Sequence, residues 1–271
     1  MFSKESIPFA PSLIESMRSI GYSFEAAIAD LIDNSIGAKA KRIDIRLSMI
    51  NDPYIIIFDD GHGMTEGEIE VAMRYGCKNP LEQRSKSDLG RFGLGLKAAS
   101  LSQCRKLVVV SKKNNSISGY SWDLDFIIEK GGWMLIGYSK EEIKGFPEIN
   151  LLDNVESGTY VLLQNFDRIK ESTDNVKKTL INKMDLAIGH IELVFHRFLE
   201  NDLKIYVNNQ EIRPKDPFLI KNKATQVKRT QKFNINNATI TVKPYILPHL
   251  SKLTKEDIIK AFNFPREKIY V

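Results

Sequence analysis

Residues Gly90-Arg91-Phe92-Gly93-Leu94-Gly95-Leu96-Lys97-Ala98-Ala99-Ser100 set three glycines close together and then run into a helical pattern over 93–102. This segment constrains the fold more than any other. Backbone N–H groups at a helix N-terminus bind phosphate, and glycines remove the side chains that would block them. Lys97 would add a point charge. Yet no Gly-Lys-Ser/Thr follows a four-residue gap, which excludes a P-loop, and no ordinary strand precedes Gly90, which excludes a dinucleotide-binding βαβ turn. Alone, the segment reads equally as a flexible hinge with a close helix contact.

The residues around it alternate helix and strand. Residues 11–20 form a short helical pattern that Gly21-Tyr22 breaks, and Ser23 caps a helix through about Ile36 on whose face Phe24, Ala27, Ile28, Leu31 and Ile32 recur. Residues 42–49 alternate as a half-buried strand, and 54–58 form a wholly apolar one. Thr65 caps a helix over 65–75. Residues 76–91 are polar and charged, with Pro80, and read as a mobile loop. Strands follow at 106–111, 117–124, 133–138 and 159–166. From about 171 the texture changes: a long helical stretch at 176–199, a strand at 203–207, an Asn208-Asn209 hairpin turn, a strand at 238–247 and a helix at 254–262. The boundary is expected near 170. Residues 268–271 begin what reads as a strand, so the chain is expected to be a fragment of a longer protein.

Three further pieces carry chemistry. In Ala29-Asp30-Leu31-Ile32-Asp33-Asn34-Ser35, Asp30 and Asn34 stand at i and i+4 and share a helix face. Asn34 offers the hard oxygen magnesium prefers, and Asp30 can orient or deprotonate a water; a polar face turned to solvent fits as well. In Asp59-Asp60-Gly61-His62-Gly63-Met64, a carboxylate at a strand end can accept from a buried amine such as the adenine amino group. Gly61 and Gly63 let the backbone approach a ring, and Met64 can pack on a purine; a tight strand-to-helix turn is the plainer reading. Gly158-Thr159 opens the last strand of this region.

Composition narrows the class. The chain has 271 residues, 42% hydrophobic and 27% charged, which argues against disorder, collagen and coiled coil. Its longest apolar runs fall far short of the roughly 20 residues that span a bilayer. No secretory signal is visible at residues 1–11. Cys77 and Cys104 form no CxxC pair, so neither a disulfide framework nor a zinc site is expected, and a reducing cytoplasm is the default. A net charge of +5 permits an acidic partner without demanding one.

In this order and spacing the four pieces, over residues 12–166, resemble the GHKL superfamily of ATP-binding domains, which groups DNA gyrase B, the ninety-kilodalton heat-shock chaperones, sensor histidine kinases and MutL. The Asp30–Asn34 segment is similar to its N box, Asp59 to Gly63 to its first glycine box, Gly93 to Lys97 to its second, and Gly158-Thr159 to its threonine element. The phrases around Asp30 and Gly90 most resemble the bacterial members of the MORC-like branch, and Arg197-Phe198-Leu199, 204–208 and 214–218 are similar to the ribosomal-protein-like transducer domain that follows the ATPase there.

The resemblance implies an α/β fold, an α+β two-layer sandwich of Bergerat type, over 1–170, then a partial transducer domain over 171–271. It implies ATP and magnesium, with Asp30 as catalytic base, Asn34 as metal ligand, and Asp59 reading the adenine amino group. Asp33, Ala38, Gly61, Gly63 and Met64 line the nucleotide, Gly90 to Lys97 (Arg91, Phe92, Gly93, Leu94, Gly95 and Leu96 between them) hold phosphates, and Thr159 supports the adenine water network. The segment 76–91 would be the lid, and ATP would drive a homodimeric clamp. Two positions depart from the pattern. Many members carry glutamate where Asp30 stands; the shorter arm withdraws the carboxylate by roughly 1.5 Å, so hydrolysis is expected but slow. Gly37 stands where gyrase-like members carry aspartate. The transducer's phosphate-reaching lysine is not placed; Lys243, Lys252 and Lys255 are candidates.

A sensor kinase needs a phosphoacceptor histidine before the ATP domain, and His62, His190, His196 and His249 do not fit. A non-catalytic ATP-sensing or partner-binding module remains open, favoured by Asp30. Lys221, Lys223, Lys228, Arg229 and Lys232 cluster in one polar stretch that suits DNA phosphates or is simply a solvated loop. By resemblance, DNA engagement or phage defence is the family-level expectation.

Overall fold

The computed structural model describes residues 3–4, 6–19, 21–75, 95–172, 175–236 and 238–254. The chain divides into two compact units, Met1–Ile191 with Asn201–Ile212, and Glu192–Glu200 with Arg213–Val271. The segment 76–91, Cys77, Gly90 to Leu94, Lys255, and the helix and strand expected after Thr254 lie outside the described residues.

The first unit runs α1 (Ala10–Arg18), α2 (Phe24–Gly37), β1 (Arg42–Ser48), β2 (Tyr54–Asp59), α3 (Glu66–Met73), α4 (Gly95–Gln103), β3 (Lys106–Lys113), β4 (Ser116–Asp123), α5 (Leu124–Lys130), β5 (Ile136–Tyr138), α6 (Lys140–Ile143), a 3₁₀ turn (Ile149–Asn154), β6 (Gly158–Gln164), α7 (Asp167–Ser172) and most of α8 (Val176–Val194). After the short α9 (His196–Leu199), β7 (Lys204–Val207) and β8 (Gln210–Glu211) complete its sheet, in the order β5-β4-β3-β6-β2-β1-β7-β8. Neighbours are antiparallel except β1 and β7, which run parallel with Ile43 opposite Ile205. The Asn208-Asn209 turn forms as expected: both residues have positive φ, which a two-residue hairpin demands.

The apolar run of β2 reflects burial on both faces, because covered strands lose their polar alternation. Ile56 and Phe58 join Val108, Val110, Tyr160 and Leu162 on one face, where Ile143 and Leu152 from the α6–3₁₀ segment cover them. That covering segment is absent from the sequence expectations: its helices are only four and six residues long, too short for periodicity to register. Ile55 and Ile57 alternate to the opposite face.

In the first unit's helix layer α2 packs on α4, and α1 packs on α4 and α5. Ser23 caps α2 as expected, its Oγ accepting from Ala26 N at 3.2 Å. The apolar face of α2 is buried. Arg18, 3% exposed, ties three helices together. It donates to Leu101 O of α4 at 2.6 Å and to both carboxylate oxygens of Asp167 on α7 at 2.6 and 3.0 Å.

The second unit holds a β10 (Gln231–Ile235)–β11 (Ala238–Val242) hairpin and a separate pair, β9 (Gln226–Val227) with β12 (Tyr245–Ile246). Phe218 stacks on Tyr245 with centroids 4.7 Å apart. The expected helix over 176–199 is interrupted at Phe195, whose backbone leaves helical values (φ −97°, ψ 13°) before α9 restarts. The expected strand at 238–247 divides into β11 and β12.

The loop from β2 to α3 is sterically exacting. Gly63 has φ +60°, and a Cβ there would lie 2.1 Å from the Lys112 carbonyl oxygen. Gly67, in the first turn of α3, has open space around it. Gly63→Ala should therefore cost more than about 2 kcal/mol, the left-handed penalty plus the clash. Gly67→Ala should gain about 0.4–1 kcal/mol by restricting the unfolded chain. Chemical denaturation of both variants at one pH checks the opposite signs.

Candidate functional site

The site is built where β2 ends. Asp59 is 4% exposed there. Its Oδ2 accepts from Ser35 Oγ of α2 at 2.8 Å, and its Oδ1 from Gly61 N at 2.9 Å. Burial pushes the carboxyl above the ordinary aspartate value, and these hydrogen bonds oppose that rise without cancelling it. Named local donors offset part of the cost of burying this charge.

Across the sheet Asp59 faces Thr159 on β6, and Thr159 faces Ser111 on β3. The three form one lateral row. Ser111 Oγ accepts from Met64 N at 2.8 Å, donates to Gly158 O at 2.9 Å and lies 3.3 Å from Thr159 Oγ1. One buried hydroxyl thus fastens the β2–α3 loop to β3 and β6. Gly61 sits against the end of α2: a Cβ there would come within 2.8 Å of both Ala38 Cβ and Asp59 Oδ1, so no side chain fits. His62 N donates to Ala38 O at 3.0 Å, which holds the loop to the residue capping α2.

Farther along α2, toward its N-terminus, Asp30 is half-buried and its Oδ2 accepts from Tyr22 Oη at 3.0 Å. The same oxygen lies 3.6 Å from where a Gly95 Cβ would stand, so the first residue of α4 is beside this carboxylate. Asp33 is half-buried; burial, then the charge of Asp30, pushes its carboxyl up. Asn34 is exposed, one turn from Asp30. Gly37, the last residue of α2, has nothing within 4 Å of a Cβ position.

Lys97 on α4 is buried, and its ammonium donates to Ala72 O near the end of α3 at 2.6 Å and lies 5.8 Å from the Tyr75 ring centroid. Leu96 is half-buried. The structure therefore gathers Ser35, Ala38, Asp59, Gly61, Gly63, Met64 and Thr159 at one end of α2. It sets Asp30 and Gly95 together at the α2–α4 seam.

Three residues of this arrangement escaped the sequence reading. Ser35 was visible in the motif but without a role. Ser111 is an isolated serine in an apolar strand, and only register brings it to Thr159. Tyr22 stands just outside the capped helix, and its bond to Asp30 spans eight positions. A polar residue alone in an apolar strand was the one available signal, at Ser111.

Magnesium suits the residues present in a limited way. Among the described residues no group of three or more His, Cys, Asp and Glu side chains could hold a metal ion. One exposed carboxamide fits an ion held mostly by phosphate and water, as magnesium commonly is. In the second unit Lys221, Lys223, Lys228, Arg229 and Lys232 are all exposed, as are Lys243 and Lys252. Among the described residues no helix is long and apolar enough to cross a membrane. Cys104 is buried, and burial pushes its thiol up to about 12.

Comparison with known proteins agrees with the fold and the motifs. The DNA mismatch repair protein MutL of Rickettsia prowazekii (strain Madrid E) is 30% identical over 119 residues, 44% of this chain and 18% of that protein. MutL of Rickettsia bellii (strain OSU 85-389) is 30% identical over 92 residues, 34% of this chain and 15% of that protein. The chain covers less than a fifth of the length of these relatives. Residues 22–159 match the family described as histidine kinase-, DNA gyrase B-, and HSP90-like ATPase, the GHKL type. That match begins at Tyr22 and ends at Thr159, taking in Asp30, Asn34, Asp59 and both glycine boxes over just over half of the chain, and the chain belongs to this ATPase family.

Proposed function

We propose that this chain binds magnesium-ATP between α2, the β2–α3 loop and the start of α4, hydrolyses it slowly, and uses it to close a homodimeric clamp within a larger protein that acts on DNA or in phage defence. The observation that carries the reading is Asp59: a carboxylate kept buried and held by Ser35 and Gly61, beside two glycines, Gly61 and Gly63, where a Cβ would clash. A buried carboxyl with a raised pKa beside a tight glycine loop is a candidate binding group on physical grounds.

In this reading the adenine amino group donates to Asp59. Gly61, Gly63 and Met64 give the ring a close wall, and Ala38 and Thr159 flank it. The backbone of Gly90 to Lys97, with Arg91, Phe92, Gly93, Leu94, Gly95 and Leu96, wraps the phosphates. Asn34 supplies a magnesium ligand, with Asp33 beside it, and the ion when bound neutralises phosphate charge. Asp30 takes the proton of the attacking water. One helix, α2, serves both ends: Ser35 and Asp30 lie about 7.5 Å apart along its axis at 1.5 Å per residue.

We place the chain in the MORC-like branch on the phrases around Asp30 and Gly90. Residues 171–271 are read as transducer-like, and the exposed cluster Lys221, Lys223, Lys228, Arg229 and Lys232 as the contact to DNA phosphates. A second reading, a module that binds ATP without turning it over, is favoured by the short arm of Asp30.

Four measurements test this. Light scattering with magnesium and a non-hydrolysable ATP analogue should move the mass from 30.9 kDa to twice that value; an unchanged mass removes ATP-driven dimerisation by this chain. For Asp59→Asn, calorimetric titration should show affinity for the analogue falling at least about tenfold, which is about 1.4 kcal/mol. The same variant should melt no lower than the parent at pH 8. Because the folded carboxyl titrates above the unfolded one, the native state holds more protons between the two values; stability is lost as pH rises through that window, and asparagine removes the loss. A drop in melting with binding intact would contradict the assignment. Affinity for duplex DNA should fall steeply between 50 and 200 mM salt, by about tenfold or more if three phosphate contacts form. Replacing Lys228, Arg229 and Lys232 by glutamate should abolish it.

A further inference from the structure

We propose that Tyr22 is a positioning residue for hydrolysis, its hydroxyl setting the orientation of the Asp30 carboxylate toward the attacking water. The inference rests on the ATPase reading above and adds a residue to that site. Tyr22 Oη donates to Asp30 Oδ2 at 3.0 Å. Tyr22 precedes the Ser23 cap, while Asp30 lies on the second turn of α2, so this bond is no part of the helix's own ladder.

The donor is itself held. Gln103 Nε2, at the end of α4, donates to the Tyr22 carbonyl at 3.1 Å and to Ser102 Oγ at 2.9 Å. Gln103 is buried, so this anchor is sheltered from water. The same α4 presents Gly95 beside Asp30. One helix therefore fixes the tyrosine from its C-terminal end and faces the carboxylate with its N-terminal end. Burial first, and then Asp30, raises the Tyr22 hydroxyl above the ordinary tyrosine value, which keeps it a protonated donor and not a second base.

Orientation matters here because the arm is short. The carboxylate torsion of aspartate is broad and roughly two-fold, so an unheld Asp30 samples several directions. In the hydrolytic step the water oxygen bonds to the γ-phosphorus, the bond to the β,γ-bridging oxygen breaks with its electron pair leaving on ADP, and the water's proton passes to Asp30. A displacement of the carboxylate by about an ångström costs about a hundredfold in rate, so placement decides how well the proton is taken.

The test uses the whole chain in single-turnover and steady-state ATP hydrolysis. Tyr22→Phe, which removes one oxygen, should lower kcat about ten- to a hundredfold, with KM and the affinity for an ATP analogue within about twofold. Its melting midpoint should match the parent's. In an Asp30→Asn background, single turnover with radiolabelled ATP should show no further fall on adding Tyr22→Phe, since the group being oriented is gone. An unchanged kcat overturns the proposal. So does a loss that appears in KM or melting, or an equal further fall in the Asp30→Asn background, each of which marks a merely structural bond. A parent protein that binds ATP but never turns it over removes the proposal and leaves the sensing reading. A parent that binds no nucleotide removes the ATPase reading itself.

Discussion

The buried carboxylate of Asp59 is the constraint on which the first unit's site depends. Removing a carboxylate from water costs several kcal/mol unless donors replace the lost hydration. Here the replacements come from two directions, Ser35 on α2 and the backbone of Gly61 in the following loop. For Ser35 to reach, α2 must lie over the end of β2 with its buried face inward. The same face that buries Phe24, Ala27, Ile28, Leu31 and Ile32 delivers that serine, so hydrophobic packing and charge solvation specify one placement. For Gly61 to reach, the chain must fold back against Ala38, which leaves no space for a side chain.

Much of this was legible in the sequence because it rests on local pattern. The α2 helix shows its period and its cap, and β2 shows an unbroken apolar run. Both are properties of neighbouring residues, and both form as the patterns imply. The motifs likewise pointed to the family, which the match over residues 22–159 bears out. What stayed hidden depends on register and tertiary approach. Ser111 matters through the residues opposite it on β6, and no single-strand pattern encodes a neighbour. Tyr22 matters through a bond across the start of a helix. The strand β10 was hidden for another reason: Gln231-Lys232-Phe233-Asn234-Ile235 alternates, but its polar members outnumber its apolar ones, and a two-stranded hairpin exposed on both faces asks for no strong pattern. At Phe195 the helical period continues in the sequence although the backbone departs from it, since aromatic side chains keep their spacing across a single non-helical residue.

The α4 helix shows how the element proposed to face phosphate is made rigid. Side chains hold it at several points along its length. Lys97 reaches from its first turn to the Ala72 carbonyl, Arg18 of α1 donates to Leu101 O, and Gln103 closes on the loop before α2. Buried or half-buried polar groups make each tie, and leaving any of them unmatched would cost desolvation without return. A helix held this way presents its N-terminal amides in a fixed place, and fixed dipoles stabilise charge best because they need no reorganisation when it arrives. The burial of Lys97 follows the same logic: its ammonium donates to the Ala72 carbonyl and ties α4 to the end of α3.

The substitution of aspartate for glutamate at position 30 then has a structural counterpart. A longer side chain would reach farther but carry another rotatable bond, and ordering that bond costs side-chain entropy. The shorter one gives up reach and is held by one hydroxyl whose own backbone is anchored to α4. For an enzyme that must turn over quickly the loss of reach is a poor trade. For a clamp the requirement is different, because the time spent closed around a partner is set by how long the nucleotide survives. In the proposed clamp, an Asp30 held by Tyr22 but shorter in reach than glutamate would turn ATP over slowly, and slow turnover would lengthen the closed state without any tighter grip on ATP.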